Sequence, residues 1–533
     1  MKTKVILAGI LLASTATTAM AGGILTNTNQ SIDFLRNPAR DAAIGLDGVY
    51  SNPAGVAFLP EGFHLGINWQ YAHQTRTITS TNPVLALGKK NNGSDTKIFE
   101  GVADAAFIPS IQAAWNKNNW SLQFNFSVTG GGGSCEYADG LGSFEGTVGT
   151  IAGKFMTIDR FAKSLNGFSS LYTMMGQTAP VDLPTYGVSG YDMDGYMQGR
   201  QYYFGFQLGS AYKVNENLSV YGGLRILYGT ATYKAKIGNI MVNTNGGLKD
   251  FASFLPNVPT QATAVVARAQ EVLSLINAAQ ASGATLPAEV TAAVPAMQEG
   301  LASLQDPKSQ KQLADLSKYS QGVNLLCNQS SVGIAPVVGV DYKMGKFNFA
   351  AKYEFKTEIH MKNESTVNQA SEIPAVDKFR DGEEVNEDQP ALLTLGAQWS
   401  PLEMIRLNAG WHHYFDKSTT WYNNSQDLLD HDTNEFLLGA EWDVNDRVTI
   451  SLGGQLTRYG LTDQYMNDMS FVVNSYSLGF GANFKVNDNV TLKGGYFQTN
   501  YENYKRSDYP SAGINDTFTR TNYVLGLGCE VTL

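Results

Sequence analysis

The sequence is poor in the features that mark a soluble multidomain enzyme. Its 533 residues include only three cysteines, Cys135, Cys327 and Cys529, too few for a disulfide framework or a structural zinc site. Charged residues make up 16% of the chain, and acidic residues outnumber basic ones by 48 to 38, which argues against nucleic acid as a partner. After the first residues, no apolar run approaches the ~20 residues that a membrane-spanning helix needs.

Catalytic and metal-binding motifs are also missing. The six histidines show no metal-ligand spacing, and His412 and His413 would point to opposite faces of a strand. The sequence contains no Gly-x-Ser-x-Gly or phosphate-loop motif, and we find no Ser–His pair for a barrel lipase. The acid-rich stretches 192–195 and 423–435 lack a complete EF-hand pattern. We therefore expect neither an enzyme nor a bound cofactor or metal.

The N-terminus has the form of a secretory signal peptide. Lys2 and Lys4 precede an apolar stretch, residues 5–13, and residues 19–21 form an Ala-Met-Ala cleavage site. The pattern predicts that residues 1–21 are removed and that the mature chain starts at Gly22. An exported protein with a cleaved leader fits a bacterial outer-membrane location. Cys135 and Cys327 then lie in an oxidising compartment, where a disulfide between them stays an open alternative.

What the sequence does contain, from Gly62 onward, is alternation with period 2. Near the C-terminus Leu525 and Leu527 fall on one side of a predicted strand, and Gly526 and Gly528 fall on the other. The apolar sides carry aromatic residues at their ends, whereas the other sides are rich in Gly, Ser, Asn and charge. This pattern is typical of an outer-membrane barrel with an apolar face toward lipid and a polar face toward the lumen.

Short turns give the number of strands. Six turns rich in Asn, Asp, Gly or Pro each follow an aromatic residue, and each joins two predicted strands. A first strand, Phe63 to Ile78, and a final strand, Thr519 to Leu533, bring the total to fourteen. The predicted fold is all-β, a 14-stranded antiparallel transmembrane β-barrel over residues 62–533. The turns are residues 115–119, 212–217, 342–346, 399–401, 442–446 and 484–489.

The opposite connections are long and uneven, as expected of extracellular loops. Apolar residues at spacings of three and four predict an amphipathic helix over 155–175, and the Ala- and Gln-rich segment 260–320 predicts two or three more helices. Asp306 followed by Pro307 resembles a helix N-cap with proline at the first position. The predicted loops are residues 81–104, 130–199, 234–329, 362–388, 421–432, 463–470 and 505–517.

Residues 22–61 precede the first strand and show no alternation, which suggests a small plug in the lumen. The run from Asp41 to Pro60 resembles the hatch of the FadL long-chain fatty acid transporter family, and its most specific element is Asn52-Pro53-Ala54-Gly55. The resemblance in residues covers about forty positions; elsewhere it is one of architecture. Family membership would imply capture of a hydrophobic molecule at the loops, hatch rearrangement and lateral exit through a kink in the third strand. Here the third strand, residues 120–129, runs into four glycines, Gly130 to Gly133.

The cargo implied is a hydrophobic, fatty-acid-like small molecule, with outer-membrane lipid around a monomeric barrel. The alternative is a porin or an adhesin-type barrel whose large loops bind an external partner. An apolar lumen closed by the hatch would favour transport, an open polar channel a porin, and flat exposed loops an adhesin.

Apolar residues at lumen positions are the predicted cargo contacts, because small-molecule pockets are mostly apolar; the alternative is packing against the hatch. These candidates are Leu227, Leu392, Tyr414, Leu437, Phe497 and Val524. Lumen-facing cations are candidates for binding a carboxylate head group, or else members of an ion-pair lattice. They are Arg225, Lys352, Lys356 and Arg520.

The apolar stripe of the helix predicted over 155–175 has two readings. It either lines a capture groove for cargo or forms the core of its loop. The stripe consists of Phe155, Ile158, Phe161, Leu165, Phe168, Tyr172 and Met175.

Overall fold

A computed structural model describes residues 27–307, 309–311, 322–367, 374–509 and 513–533. The predicted signal peptide, residues 1–21, lies outside this range, as do residues 22–26 of the predicted hatch. Within the described residues no helix is both long and apolar enough to cross a membrane.

Fourteen antiparallel strands close into a barrel, which confirms the predicted fold class. The first strand pairs with both the second and the last, and Phe63 N donates to Leu533 O at 2.9 Å. The strands are β1 (Gly62–Thr81), β2 (Thr96–Lys117), β3 (Trp120–Tyr137), β4 (Gly190–Lys213), β5 (Leu218–Thr244), β6 (Val323–Met344), β7 (Phe347–Glu354, continued by His360–Val367), β8 (Glu384–Asn386, continued by Leu392–Leu402), β9 (Ile405–Tyr414), β10 (Asn434–Asn445), β11 (Val448–Arg458), β12 (Ser475–Lys485), β13 (Val490–Tyr501, continued by Tyr504–Tyr509) and β14 (Ile514–Thr532).

The predicted alternation sets the two faces of the wall. Leu525, Leu527 and Leu478 stand on the outer face, where they are 45%, 60% and 54% exposed. Aromatic residues beside the short turns, such as Trp115 and Trp442, are exposed on the same face. An apolar outer band with aromatic residues at its rim is the surface that a bilayer requires.

Five of the six short turns lie where the sequence places them, and the fourth is displaced. A register irregularity between Trp399 and Leu402 carries β8 past the predicted turn at 399–401, so the chain reverses only at residues 403–404. The bounds of the two large loops were also wrong. β3 and β4 extend to Tyr137 and from Gly190, and β5 and β6 extend to Thr244 and from Val323, because these strands continue beyond the bilayer instead of ending at its surface.

The long loops fold into a helical assembly over the outer end of the barrel. The predicted helix over 155–175 is two helices, α3 (Gly142–Asn166) and α4 (Ser169–Met174), separated at Gly167 and Phe168. The larger loop adds a short hairpin strand, Gly247–Asp250, and the helices α5 (Phe251–Phe254), α6 (Asn257–Ala281) and α7 (Ala288–Gln305). Asp306 accepts a hydrogen bond from Ser309 N at 3.0 Å, as a helix N-cap does. Cys135 and Cys327 are both free thiols.

Candidate functional site

The segment before β1 lies inside the barrel and contacts the lumen face on many sides. It contains α1 (Ile32–Arg36), α2 (Gly48–Ser51) and a 3₁₀ turn, Gly55–Phe58. Ile32 and Leu35 of α1 are fully buried against the wall. A Cβ atom on Gly526 would come within 2.4 Å of Ile32, and one on Gly479 would clash with the backbone of Leu35. The glycines on the lumen face therefore leave the room that the helix occupies.

The hatch motif fastens the plug to the wall through its backbone and one amide side chain. Asn52 Nδ2 donates to Asp341 Oδ2 of β6 at 2.6 Å, and Asn52 Oδ1 accepts from Gly55 N at 3.2 Å. The carbonyls of Pro53 and Ala54 accept hydrogen bonds from Gln123 and Ser219 at 2.8 and 2.6 Å.

Gly55 lies directly against the side chain of Asn52, the first residue of the motif. A side chain there would lie 2.4 Å from Asn52 Nδ2 and 3.0 Å from Asp341 Oδ2. The motif residues thus hold the plug in place.

A buried charge network connects the hatch to the periplasmic part of the barrel wall. Arg36 and Arg40 lie 2.9 and 3.0 Å from Glu441 of β10, and Asp33 lies 2.6 Å from Lys493 of β13. The wall charges of this network stand out in the sequence as lumen-facing positions, but the hatch charges were missed. The signal that could have found them is the presence of Asp33, Arg36, Arg40 and Asp47 in a short, otherwise largely apolar segment.

A second polar cluster holds the middle of the hatch. His412 of β9 lies 2.9 Å from Asp41 of the hatch and 2.9 Å from Glu435 of the wall. Tyr414 O–H donates to the same Glu435 at 3.0 Å.

Two of the predicted head-group cations belong to an ion-pair lattice around Tyr50 of the hatch. Arg225 pairs with Glu354 and lies 5.0 Å from the Tyr50 ring. Lys352 lies 2.6 Å from Glu354 and donates to Tyr50 O at 2.8 Å. Lys356 lies 3.3 Å from Asp388. Of the four predicted cations, only Arg520 has no carboxylate within 4.0 Å among the side chains that the structure describes.

The predicted apolar lumen residues divide into two groups. Leu437, Phe497 and Val524 form one buried cluster with Ile32 and Leu35, so they pack against the hatch as the alternative reading had it. Leu227, Leu392 and Tyr414 instead line a cavity between the hatch and the wall, together with Arg225. Its volume is about 30 Å³, whereas a ligand pocket usually has roughly 300–1,000 Å³. The cavity is therefore closed to cargo in this conformation.

The barrel wall is interrupted between β2 and β3. Asp104 pairs with Ser134 and Ile111 pairs with Phe126, but the residues between them, 105–110 and 127–133, do not pair with each other. The Gly130–Gly133 run makes this possible, because Gly131 and Gly133 have φ values of +83° and +90°. The interruption lies in the third strand, where the resemblance placed a kink.

The N-terminal end of the hatch covers this interruption from the lumen side. Asn27 N donates to Thr129 O at 3.0 Å, Gln30 Nε2 donates to Val128 O at 3.0 Å, and Ser110 Oγ donates to Gln30 O at 2.7 Å. On the outer face Phe107 is 69% exposed. The hatch therefore supplies hydrogen-bond donors to two carbonyls, those of Val128 and Thr129, in the stretch of β3 that does not pair with β2.

The apolar stripe predicted as a capture groove forms mostly the interior of the loop assembly. Five of its residues, Phe155, Ile158, Leu165, Phe168 and Tyr172, are at most 5% exposed. Phe155 packs on Phe251 and Phe254 of α5, with ring centroids 5.6 and 5.7 Å apart. These five side chains do not line an open groove in this structure, because residues of α5 and α6 cover them. Phe161 and Met175 lie at the edge of the cluster, and a part in capture stays a prediction for them.

These features define the class of protein: a bacterial outer-membrane β-barrel whose lumen is filled by a hatch, which is unlike the open channel of a porin. Comparisons with protein-family models and with curated protein sequences find no match. Solved structures do match over nearly the whole chain. A FadL homologue from Pseudomonas aeruginosa is 11% identical, with a TM-score of 0.55, over 96% of this chain and 99% of that one. The toluene transporter TodX from P. putida is 11% identical, with a TM-score of 0.51, over 92% and 94%. The fold is that of the FadL-type transporters.

Proposed function

We propose that this protein admits hydrophobic small molecules of the long-chain fatty acid kind across the bacterial outer membrane by facilitated diffusion. The loops capture the molecule, a rearrangement of the hatch opens the cavity beside Leu227 and Leu392, and the molecule leaves sideways between β2 and β3. The matching structures include a FadL homologue and a toluene transporter, which supports a hydrophobic cargo. No catalytic step is involved.

The observation that carries this proposal is the covered interruption of the wall. An unpaired stretch of strand is costly in a bilayer, because each unsatisfied backbone group costs several kcal/mol there. In this barrel the hatch satisfies groups at Val128 and Thr129 through neutral hydrogen bonds from Asn27 and Gln30. A cover of this kind can leave when the hatch moves, and an opening from the lumen toward the lipid then remains.

The contacts of the hatch are also suited to rearrangement. Besides the apolar contacts of Ile32 and Leu35 with the wall, they include hydrogen bonds and ion pairs, such as Asp33 to Lys493 and Asn52 to Asp341, and water can replace these polar partners when a segment moves.

The experiment links the hatch covalently to β2 at the interruption of the wall. Cysteines at Gln30 and Ser110, in a background where the three native cysteines are serine, are joined by a short bis-thiol reagent, and uptake of labelled hexadecanoate by cells is measured. We expect uptake to fall to the level of cells without the protein, and to return when a reducible linker is cleaved.

A matched control joins cysteines at Asn489 and Thr532, which lie together at the periplasmic rim, where Asn489 Nδ2 donates to Thr532 O at 2.7 Å. That link leaves the hatch and the interruption free, so uptake should continue. Full uptake through a completely linked Gln30–Ser110 barrel would refute lateral exit, and equal uptake with and without the protein would refute transport altogether.

A further inference from the structure

The β2 edge of the wall interruption is bonded to its neighbour β1 on the outer face of the barrel. Trp69 Nε1 donates to Ala106 O at 3.0 Å, and Tyr71 O–H donates to Asp104 Oδ1 at 3.0 Å. His73 Nδ1 lies 2.7 Å from the same carboxylate oxygen, and it is the donor, because an ionised carboxylate only accepts. Three successive outer-face side chains of β1 therefore bond to residues of β2 beside the interruption.

These bonds meet a β-bulge in β2. The register of β1 with β2 shifts between Gln70 and Ala72, so residues 106 and 107 of β2 stand opposite Tyr71 alone. A bulge leaves a residue out of the ladder and bends its strand, and an unpaired backbone group is costly in a bilayer. Trp69 supplies a donor to the carbonyl of Ala106. A side chain of the wall itself thus stabilises the bulge.

The same side chains of β1 also contact the last strand. The rings of His73 and Tyr71 lie 5.2 and 6.2 Å from the ring of Tyr523 on β14. β1 pairs with β14 from His64 to Thr81 without a register shift. The β2 edge is therefore bonded to two strands that form a continuous part of the wall.

The β3 edge is held differently. The register of β3 with β4 shifts twice, between Val128 and Gly130 and between Gly131 and Gly133. The carbonyls of Val128 and Thr129 accept hydrogen bonds from the hatch. Movement of the hatch removes those donors from the β3 edge, whereas the three bonds from β1 to β2 do not involve the hatch.

We propose that Trp69, Tyr71 and His73 are positioning residues that keep the β2 edge fixed, so that the wall opens by movement of the β3 edge alone. They act through Ala106 and Asp104. The fixed edge limits the width of the exit, because only one of its two sides gives way. This inference rests on the proposed function and adds to it which side of the exit moves.

The first test measures amide exchange in the full-length barrel in nanodiscs, with and without hexadecanoate. In the wild type, hexadecanoate should speed up exchange of residues 127–133 and leave that of residues 105–110 unchanged. The double variant Trp69→Phe, Asp104→Ala should raise exchange of residues 105–110 about tenfold to a hundredfold, as expected when a charged hydrogen bond is removed. Exchange of residues 127–133 should not rise with it. Faster exchange of residues 105–110 in the wild type on addition of hexadecanoate would overturn the inference.

The second test replaces the side-chain bonds by a covalent link. His73 and Asp104 are register partners, so His73→Cys and Asp104→Cys, in the background without native cysteines, are joined by a short bis-thiol reagent. Exchange of residues 105–110 should be fast before linking and return to the wild-type rate after it. Uptake of labelled hexadecanoate by cells should continue in the linked barrel, because this edge does not have to move. Loss of uptake on linking would show that the β2 edge moves, contrary to the proposal.

The control variant is Tyr496→Phe, which removes an outer-face hydrogen bond on β13, from Tyr496 O–H to Gln498 Oε1 at 2.8 Å. It should alter neither exchange at the interruption nor uptake. Resistance of the barrel to heat in detergent shows whether the double variant has folded; if it has not, Trp69→Phe alone gives the same comparison. A folded variant with wild-type exchange of residues 105–110 would refute the positioning role while transport still stands. Absence of hexadecanoate uptake by the wild type would instead refute the proposed function.

Discussion

The hatch and the loop assembly are both packed against the barrel, but their contacts differ in kind. The hatch contacts the wall through ion pairs, through hydrogen bonds and through a short helix, α1, that lies on glycines. The loop assembly has one continuous apolar cluster that joins α3, α5 and α6 to the outer ends of the strands. The hatch therefore combines polar contacts, which water can replace, with the apolar contacts of α1, whereas the loop assembly is built around apolar surface that water cannot replace.

This difference assigns different tasks to the two regions. Apolar burial contributes about 25 cal/mol per Å² and is lost if the assembly opens, so the buried core of the loops resists opening. Buried ion pairs contribute little net stability, because removing two charges from water is costly. A hatch held partly by such pairs can therefore move to a second position at little cost in free energy. When it moves, the interruption between β2 and β3 is no longer covered.

The largest expected effect is in the loops. Phe155→Ala removes a fully buried ring that packs on Phe251 and Phe254 and should destabilise the loop assembly by about 3–5 kcal/mol. Hydrogen exchange of α6, Asn257–Ala281, should speed up accordingly, while that of the hatch should not change. The control is Met174→Ala, at a side chain 40% exposed, which should leave the exchange of α6 unaltered. Faster exchange in the hatch as well would show that the two regions are not independent.

The next effect is in the hatch. Glu441→Gln removes the carboxylate shared by Arg36, Arg40 and Arg406 and should cost about 3 kcal/mol, at the lower end for breaking a buried pair. Each of the three arginines keeps a second carboxylate. Exchange of residues 31–58 should accelerate while that of α6 stays slow.

Asp443→Asn is the matched control for that charge. Asp443 pairs with Arg406 at 2.6 Å and has no ion pair with the hatch among the described residues. An equal acceleration of hatch exchange in both variants would mean that general loss of wall charge, and not the contact with Arg36 and Arg40, matters.

Gly55→Ala tests the hatch motif with a single methyl group. Its Cβ would lie 2.4 Å from Asn52 Nδ2, so the hydrogen bond from Asn52 to Asp341 must shift, at a cost of about 1–3 kcal/mol. Exchange of residues 48–58 reports the change. Gly222→Ala, on a strand with nothing within 4 Å of the new Cβ, should have no such effect, and equal behaviour of the two variants would contradict the steric argument.

Most of the wall was predictable because its two faces meet different solvents. Period-2 alternation in β9, β12 and β14 and the aromatic residues before the turns were enough to fix fourteen strands and the side facing lipid. The bounds of the large loops were not predictable, because β4 and β5 continue as sheet beyond the bilayer, where composition no longer distinguishes them from loop.

The site was predictable only in part. Alternation identifies Arg225, Lys352 and Leu437 as lumen residues, but it does not show whether they contact the hatch or a ligand. That depends on the position of the hatch, whose sequence has no periodicity from which its position could be predicted. Arg520 shows the same limit. Its position on the lumen face follows from the alternation of β14, whereas its place opposite Arg76 of β1 depends on how the two ends of the sheet join.

The smallest expected effect concerns a contact between two loops, and it depends on pH. Ser143 N, at the start of α3, donates to Asp468 Oδ2 at 2.7 Å, and burial together with the nearby carboxylate of Asp516 raises the pKa of Asp468 above its usual 3.8. An acid whose pKa is higher in the folded state binds its proton more readily there, so lowering the pH stabilises the folded arrangement of the two loops relative to the opened one, and raising the pH through the raised pKa removes that gain. Protection of the α3 amides should therefore increase as the pH falls toward 3.8 in the wild type, relative to Asp468→Asn, which keeps an acceptor oxygen but does not titrate. The same pH dependence in both proteins would show that other loop groups, and not Asp468, are responsible.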